Sequence, residues 1–106
     1  MIMNKWIKVC STHEIENKKL LRFDYNDKKL LIVSQNSTIY AADSVCTHAD
    51  ADLSSGFLNS EGIQCPLHLS TFNLDTGIPQ NPPAEKALKT YNVKIEHNVV
   101  YVDLKN

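Results

Sequence analysis

Two short pairs of cysteine and histidine constrain this sequence more than any other feature. The first is a Cys-x-His pair at residues 46–48, and the second is a Cys-x-x-His pair at residues 65–68. A thiolate and an imidazole two or three residues apart can come from one backbone turn, and two such turns side by side supply four metal ligands. The predicted ligands are Cys46, His48, Cys65 and His68.

The distribution of the donors bears on which metal they bind. Zinc accepts two cysteines and two histidines, but zinc sites most often pair Cys with Cys and His with His. Here each loop carries one of each, which suits a two-iron centre that takes both thiolates on one iron and both imidazoles on the other. With these motifs the sequence resembles the Rieske family of [2Fe–2S] proteins. A structural zinc site is the alternative.

The resemblance extends over most of the chain. It includes segments 6–10 and 39–41 upstream of the ligands and several residues around and after them, namely Thr47, Pro66, Phe72, Asp75-Thr76-Gly77 and Pro82-Pro83. It implies an all-β fold, the antiparallel β sandwich or barrel of Rieske iron–sulfur proteins with a small inserted cluster-binding subdomain. Residues 1–106 would form one Rieske domain, with 1–42 and 84–106 as the basal part and 43–83 as the cluster-binding part.

The resemblance also implies a role for each ligand. Cys46 and Cys65 would hold the inner iron, while His48 and His68 would hold the outer iron as neutral imidazoles. Ser70 lies where high-potential relatives have a serine that donates a hydrogen bond to a cluster sulfur, so it is counted among the cofactor-binding residues. The cofactor would be one [2Fe–2S] cluster per chain.

Residues near the four predicted ligands in the sequence predict a low reduction potential for the cluster. Ala51 and Leu67 replace the two cysteines that form a loop-linking disulfide in high-potential relatives, and Phe72 replaces a tyrosine that donates to the cluster. Fewer donors stabilise the reduced form less, so we expect a potential of roughly −150 mV to about 0 mV. Leu69 departs from the glycine that many relatives have after the second histidine.

Short alternating segments separated by turn residues predict the strands of the basal part. Asn26-Asp27, residues 35–37 and His97-Asn98 are the turn signals. Residues 11–16 could begin a helical turn, but a loop is favoured there. Residues 91, 93 and 95 are expected to share one strand face, as are 100, 102 and 104. The predicted strands are 5–10, 20–25, 29–34, 38–42, 88–96 and 99–104 in the basal part, with two short ones, 62–65 and 71–74, in the cluster-binding part.

Composition excludes several classes of function. The formal net charge of −1 over 106 residues gives no electrostatic reason to bind nucleic acid or a membrane. The longest aliphatic run, Leu30-Leu31-Ile32-Val33, is too short to span a bilayer, and residues 1–8 contain no secretory apolar core. Only Cys10 remains beside the two ligand cysteines, so no disulfide is expected and a cytoplasmic location is favoured. Cys10 is expected to be a packing residue.

The resemblance implies an electron carrier and not an enzyme by itself. Residues 69–106 are too few for the second domain that an oxygenase needs, and His13 and His97 do not make a mononuclear iron site. The expected partners are a reductase and a terminal oxygenase, most commonly of the aromatic-ring-hydroxylating dioxygenase type, or another redox enzyme. The carrier is expected to be a monomer. Alternatives are the small subunit of an assimilatory nitrite reductase and a zinc-stabilised interaction module.

Three acidic residues near the first ligand pair have two interpretations. Asp43, Asp50 and Asp52 could dock a basic partner, or they could simply solvate the loop. The sequence favours the second interpretation.

Overall fold

A computed structural model describes residues 5–47, 51–67, 70–81 and 84–104, and the elements below lie in these ranges. The chain is mostly antiparallel β-structure, as predicted. In chain order the elements are β1 (Trp6–Ser11), α1 (Thr12–Lys18), β2 (Leu20–Tyr25), β3 (Lys28–Gln35), β4 (Thr38–Asp43), a 3-10 helix (Leu53–Ser55), β5 (Phe57–Asn59), β6 (Gly62–Gln64), β7 (Thr71–Phe72), β8 (Thr90–Tyr91), β9 (Val93–Glu96) and β10 (Val99–Asp103).

The strands form three sheets. The first has the order β1-β10-β9, the second β2-β3-β4-β8 and the third β5-β6-β7. Neighbouring strands run antiparallel in each sheet. The strands of the first two sheets lie up to Asp43 and from Thr90 onward in the sequence. The third sheet takes β5 and β6 from between the two Cys–His pairs and β7 from just after the second pair. The fold class that the sequence predicted is therefore confirmed.

The β3 strand is apolar without interruption because both of its faces are covered. Leu30 and Ile32 pack into one buried cluster with residues of β1 and β10. Leu31 and Val33 face the opposite side and pack into a second cluster that includes the two cysteines predicted as ligands. All four side chains are at most 1% exposed, and burying each contributes about 1.5–3 kcal/mol. Thus one strand joins the basal core to the region of the predicted metal centre.

Three two-residue turns confirm the hairpins that the sequence predicted. Asn26 begins the β2–β3 turn with φ of 54°. Both turn residues have positive φ in the β3–β4 turn at residues 36–37 and in the β9–β10 turn at residues 97–98. Positive φ at both positions is typical of the type I′ turn, whose twist matches that of the flanking strands.

The loop favoured for residues 11–16 is wrong, because an α-helix begins there. Ser11 caps α1 by accepting a hydrogen bond from the Glu14 backbone N–H at 3.0 Å. Ile15 is fully buried against the basal core, and Lys19 ends the helix in the left-handed conformation. A Ser-x-x-Glu sequence before an apolar residue is a helix-start signal.

Within the described ranges, no helix has the length and apolar character needed to cross a membrane.

The strand predicted over residues 88–96 is divided between two sheets. Tyr91 pairs with Ala41 of β4, whereas β9 pairs with β10, and the chain changes sheets at Asn92. As a result, Tyr91 is buried but Ile95, predicted to share its face, is 50% exposed on an edge strand. The shared face predicted for Val100, Val102 and Leu104 is confirmed, since all three are buried. The sequence prediction missed β5, which is short and follows the 3-10 helix.

Cys10 packs into the basal core, as expected. It is 6% exposed and belongs to the cluster that contains Ile15 and Val100. Burial, with a smaller contribution from the nearby Glu14 carboxylate, raises the pKa of this thiol to about 11. The thiol is therefore protonated near neutral pH and has little nucleophilic character.

We expect Ser11→Ala to destabilise the protein, because it removes the acceptor that caps α1. Loss of such a cap costs about 1 kcal/mol, which corresponds to a fall in apparent melting temperature of about 4 °C or more in a domain of this size. Thermal unfolding followed by circular dichroism would measure the change. Ser11→Asp, which keeps an acceptor, should unfold near the wild-type temperature, and equal losses in both variants would contradict the capping role.

Candidate metal centre

The first ligand pair lies at the end of a short hairpin. The Cys46 N–H donates to the Ala51 carbonyl oxygen at 2.9 Å, and the Leu53 N–H donates to the Ser44 carbonyl oxygen at 2.7 Å. Val45 and Asp52 form an antiparallel bridge between these bonds. Residues 44–46 and 51–53 therefore pair with each other, and His48 belongs to the stretch of sequence between them.

The second ligand pair lies in a loop closed in the same way. The Cys65 N–H donates to the Ser70 carbonyl oxygen at 2.7 Å. This loop connects β6 to β7, which pair through Ile63 with Phe72 and through Gln64 with Thr71. In both loops the cysteine amide is bonded to the carbonyl five residues later, so each Cys begins a tight loop of the same size.

The two predicted cysteine ligands are buried in one core. Cys46 is 3% exposed and Cys65 is fully buried, and both belong to the cluster that contains Leu53 and Phe72. The tip of the second loop is different, because Leu67 is 63% exposed. This loop therefore has its thiol directed inward while the residue next to the predicted histidine ligand is directed to solvent.

The structure brings together only part of the predicted site. Cys46, Cys65 and Ser70 are described, whereas His48 and His68 lie outside the described residues, as does Leu69. The imidazoles therefore remain ligands predicted from the sequence. The donor chemistry fits a [2Fe–2S] cluster, since two buried thiols of one core can supply the sulfur ligands and each is followed closely by a histidine.

Segment 84–86 ties the two ligand loops together. The Thr47 hydroxyl donates to the Lys86 carbonyl oxygen at 2.7 Å, and the Ala84 N–H donates to Ser70 Oγ at 3.0 Å. Ser70 is fully buried. Because its oxygen accepts from Ala84, the hydroxyl proton is left to be donated elsewhere. Pro82 and Pro83, which the resemblance implied, are not in the part of the chain that is described.

A turn at residues 73–77 packs against Leu88, just after segment 84–86. The Asn73 side-chain oxygen accepts from the backbone N–H groups of Asp75 and Thr76 at 2.9 Å each. Gly77 follows with φ of 79°, and a Cβ on it would lie 2.2 Å from the Leu88 carbonyl oxygen. Only glycine fits this close approach, which lets the Leu88 N–H donate to the Gly77 carbonyl oxygen.

Two of the acidic residues considered for docking have internal partners instead. The Asp43 carboxylate accepts from the Tyr91 hydroxyl at 2.6 Å. Burial of the phenol, together with this hydrogen bond, raises the pKa of Tyr91. Asp52 accepts from Ser44, from Ser54 and from Arg22. Asp50 is not described.

Sequence reasoning missed the role of Asp52. The local signal was present, because Asp52 precedes a helical turn and its carboxylate accepts from the Ser54 backbone N–H, as capping residues do. The Arg22 partner could not be found in this way, since it lies 30 residues earlier on β2.

Comparison with known proteins agrees with this geometry. The Rieske [2Fe-2S] domain family matches residues 5–92. The ferredoxin component of the naphthalene 1,2-dioxygenase system of Pseudomonas aeruginosa is 39% identical over 100 residues, which are 94% of this chain and 96% of the relative.

Solved structures resemble this fold closely. A chain in the complex of reduced oxygenase and oxidized ferredoxin in carbazole 1,9a-dioxygenase superposes with a TM-score of 0.87 at 31% identity, covering 92% of both chains. A putative NADH-dependent nitrite reductase small subunit from Mycobacterium tuberculosis has a TM-score of 0.84 at 16% identity, over 95% of this chain and 96% of that one, and shares the fold alone. The chain belongs to the Rieske [2Fe-2S] domain family.

Proposed function

We propose that this protein is a Rieske ferredoxin that carries single electrons from a reductase to a terminal oxygenase. The observation that carries this function is the pair of equally closed loops, which place Cys46 and Cys65 in one buried core while Leu67 at a loop tip stays exposed. A carrier needs a redox group that is shielded from water on one side and near the surface on the other. These loops meet both requirements.

In this proposal each ligand keeps the role predicted from the sequence. Cys46 and Cys65 hold the inner iron, and His48 and His68 hold the outer iron near the surface. The bound cluster supplies reversible one-electron chemistry, with a higher potential than an all-cysteine cluster because the imidazoles are neutral. The chain itself orients the thiolates through the two loop-closing hydrogen bonds and excludes water with the surrounding apolar core.

The partner class follows from the relatives. The naphthalene dioxygenase ferredoxin component is similar over nearly its whole length, and the similar carbazole dioxygenase structure is a complex of ferredoxin with oxygenase. We infer that the terminal acceptor is a dioxygenase that acts on aromatic rings. The nitrite reductase alternative is supported by fold alone, and the zinc module would not account for relatives that are ferredoxin components.

We further propose the division of the chain and its location. Residues 1–42 and 84–106 form the basal part, and residues 43–83 form the cluster-binding part, which packs on the Leu31 and Val33 face of β3. The three cysteines are buried thiols. This agrees with a reducing compartment, and we propose the cytoplasm.

Electron paramagnetic resonance of the dithionite-reduced protein tests the ligand assignment. We expect a signal with average g near 1.9, which is characteristic of a cluster with mixed Cys and His ligands. His48→Ala and His68→Ala should each abolish or alter the signal, because each removes a donor to the outer iron. His13→Ala, which changes a histidine in α1, should leave it intact. A protein that stays colourless and free of iron after anaerobic reconstitution would contradict the proposal.

Ser70→Ala should lower the reduction potential from a wild-type value between roughly −150 mV and about 0 mV. The variant removes the hydroxyl that is left to donate to a cluster sulfur, and such donors stabilise the reduced form. It also leaves the buried Ala84 N–H without its acceptor, which should cost about 1–3 kcal/mol of stability. Redox titration of the visible spectrum would measure the potential.

Ser34→Ala is the matched control for this prediction. Ser34 is also a buried serine, 7% exposed, but it lies on β3 where its backbone N–H bonds to Lys19. We expect its potential to equal that of the wild type. A potential unchanged in Ser70→Ala would show that this hydroxyl does not act on the cluster.

Leu67→Asp should slow electron transfer to the oxygenase even though the added negative charge lowers the potential, which by itself would favour transfer to the acceptor. The side chain is 63% exposed beside His68, so a charge there would have to be desolvated when the partner binds. Stopped-flow oxidation of the reduced protein by its oxygenase would measure the rate. Ile95→Asp makes the same change at a 50% exposed position on β9. Equal slowing in both variants would argue against docking through the loop tip.

A further inference from the structure

We propose that Asp52 is a positioning residue for the metal centre and that it acts with Arg22 as a charged clamp between the first ligand loop and β2. The clamp consists of Arg22, Ser44, Asp52 and Ser54. The inference rests on the ligand assignment proposed above, since it concerns the loop that carries Cys46 and His48. It assigns a role to a carboxylate that belongs to neither ligand motif.

One oxygen of Asp52 holds the two sides of the hairpin together. Oδ1 accepts from the Ser44 hydroxyl, from the Ser54 hydroxyl at 2.7 Å and from the Ser54 backbone N–H at 2.9 Å. Ser44 is 1% exposed and lies two residues before Cys46. The carboxylate therefore fixes the strand that enters the ligand loop to the 3-10 helix that follows the loop.

The other oxygen of Asp52 connects the hairpin to the basal sheet. Oδ2 accepts from Arg22 Nη1, and Arg22 also donates from Nε and Nη2 to the two Asp24 oxygens at 2.8 and 3.1 Å. The two-bond contact with Asp24 orients the guanidinium plane. Arg22 lies on β2, so the clamp ties the ligand loop to a strand of the second sheet.

The carboxylate remains ionised in this setting. Burial alone would raise the pKa of Asp52, but the hydrogen bonds from Ser44 and Ser54 and the Arg22 contact outweigh it, and the pKa is lowered. An exposed Arg–Asp pair is worth little by itself. Asp52 is different, because the same group also satisfies a buried hydroxyl and the N-terminus of the 3-10 helix.

The clamp places two opposite charges beside the loop, so removing each charge should change the reduction potential in opposite directions. A role that is only structural would not produce opposite changes. Asp52→Asn keeps an oxygen for Ser44 and Ser54 but removes a negative charge, so the reduced cluster should be favoured and the potential should rise. Arg22→Gln removes the positive charge, and the potential should fall. The double variant should return toward the wild-type value. General loosening of the loop would instead shift both single variants in the same direction.

Iron retention tests the positioning role separately. In Asp52→Ala, the rate of cluster loss to a chelator should rise about tenfold or more, the usual effect of removing a group that orients a metal ligand. Asp27→Ala, which removes a carboxylate from the exposed turn between β2 and β3 and outside the clamp, should lose iron at the wild-type rate. If Asp52→Ala does not fold, the two charge variants still decide the proposal through their potentials.

The outcomes separate this inference from the proposed function. A wild-type protein without the g near 1.9 signal would overturn the function itself. A wild-type protein with that signal, together with unchanged potentials in Asp52→Asn and Arg22→Gln or a wild-type rate of iron loss in a folded Asp52→Ala, would overturn the clamp alone. Opposite shifts of the two potentials, with faster iron loss in Asp52→Ala, would establish it.

Discussion

The hydrogen bonds that close the two ligand loops are the constraint on which the rest of the structure depends. The Cys46 and Cys65 amides donate to the carbonyl groups of Ala51 and Ser70, five residues later in each case. A buried thiol and an exposed loop tip follow from that closure, as Cys65 and Leu67 show. Segment 84–86 then holds the loops to each other through Thr47 and Ser70. These backbone and side-chain bonds position the two cysteines and the exposed loop tip relative to each other.

The β3 strand explains how so small a chain supports a loop-rich region. Leu30 and Ile32 face the basal core, while Leu31 and Val33 face the core that contains the ligand cysteines. Because both cores share one strand, the basal sheets and the cysteine-containing core pack on opposite faces of the same support. The Asp52 clamp adds a second connection, from β2 to the first loop. Structural and redox functions therefore rely on the same central sheet.

Local signals in the sequence predicted local structure well. They failed where two distant strands are alternative pairing partners for the same segment. The hairpin turns at Asn36 and His97 followed from turn-forming residues. The cap of α1 at Ser11 is equally local, although the polar residues around it favour a loop in the sequence. The division of the strand at Asn92 could not be predicted, because alternation over residues 88–96 is the same whether the partner is β4 or β10. Which strand pairs with which depends on the packed sheets.

The sequence by itself determined the chemistry of this protein. Two Cys–His pairs at short spacing predict the donors, and the residues around them indicate the family, because residue type and spacing are properties of the chain before it folds. Only the tertiary structure decided which charges support the site. Arg22 meets Asp52 across 30 positions, and Tyr91 meets Asp43 across 48. Such contacts arise from sheet packing. From the sequence alone Asp52 is interpreted as an acid that solvates a loop, whereas in the fold its carboxylate accepts hydrogen bonds from Arg22, Ser44 and Ser54.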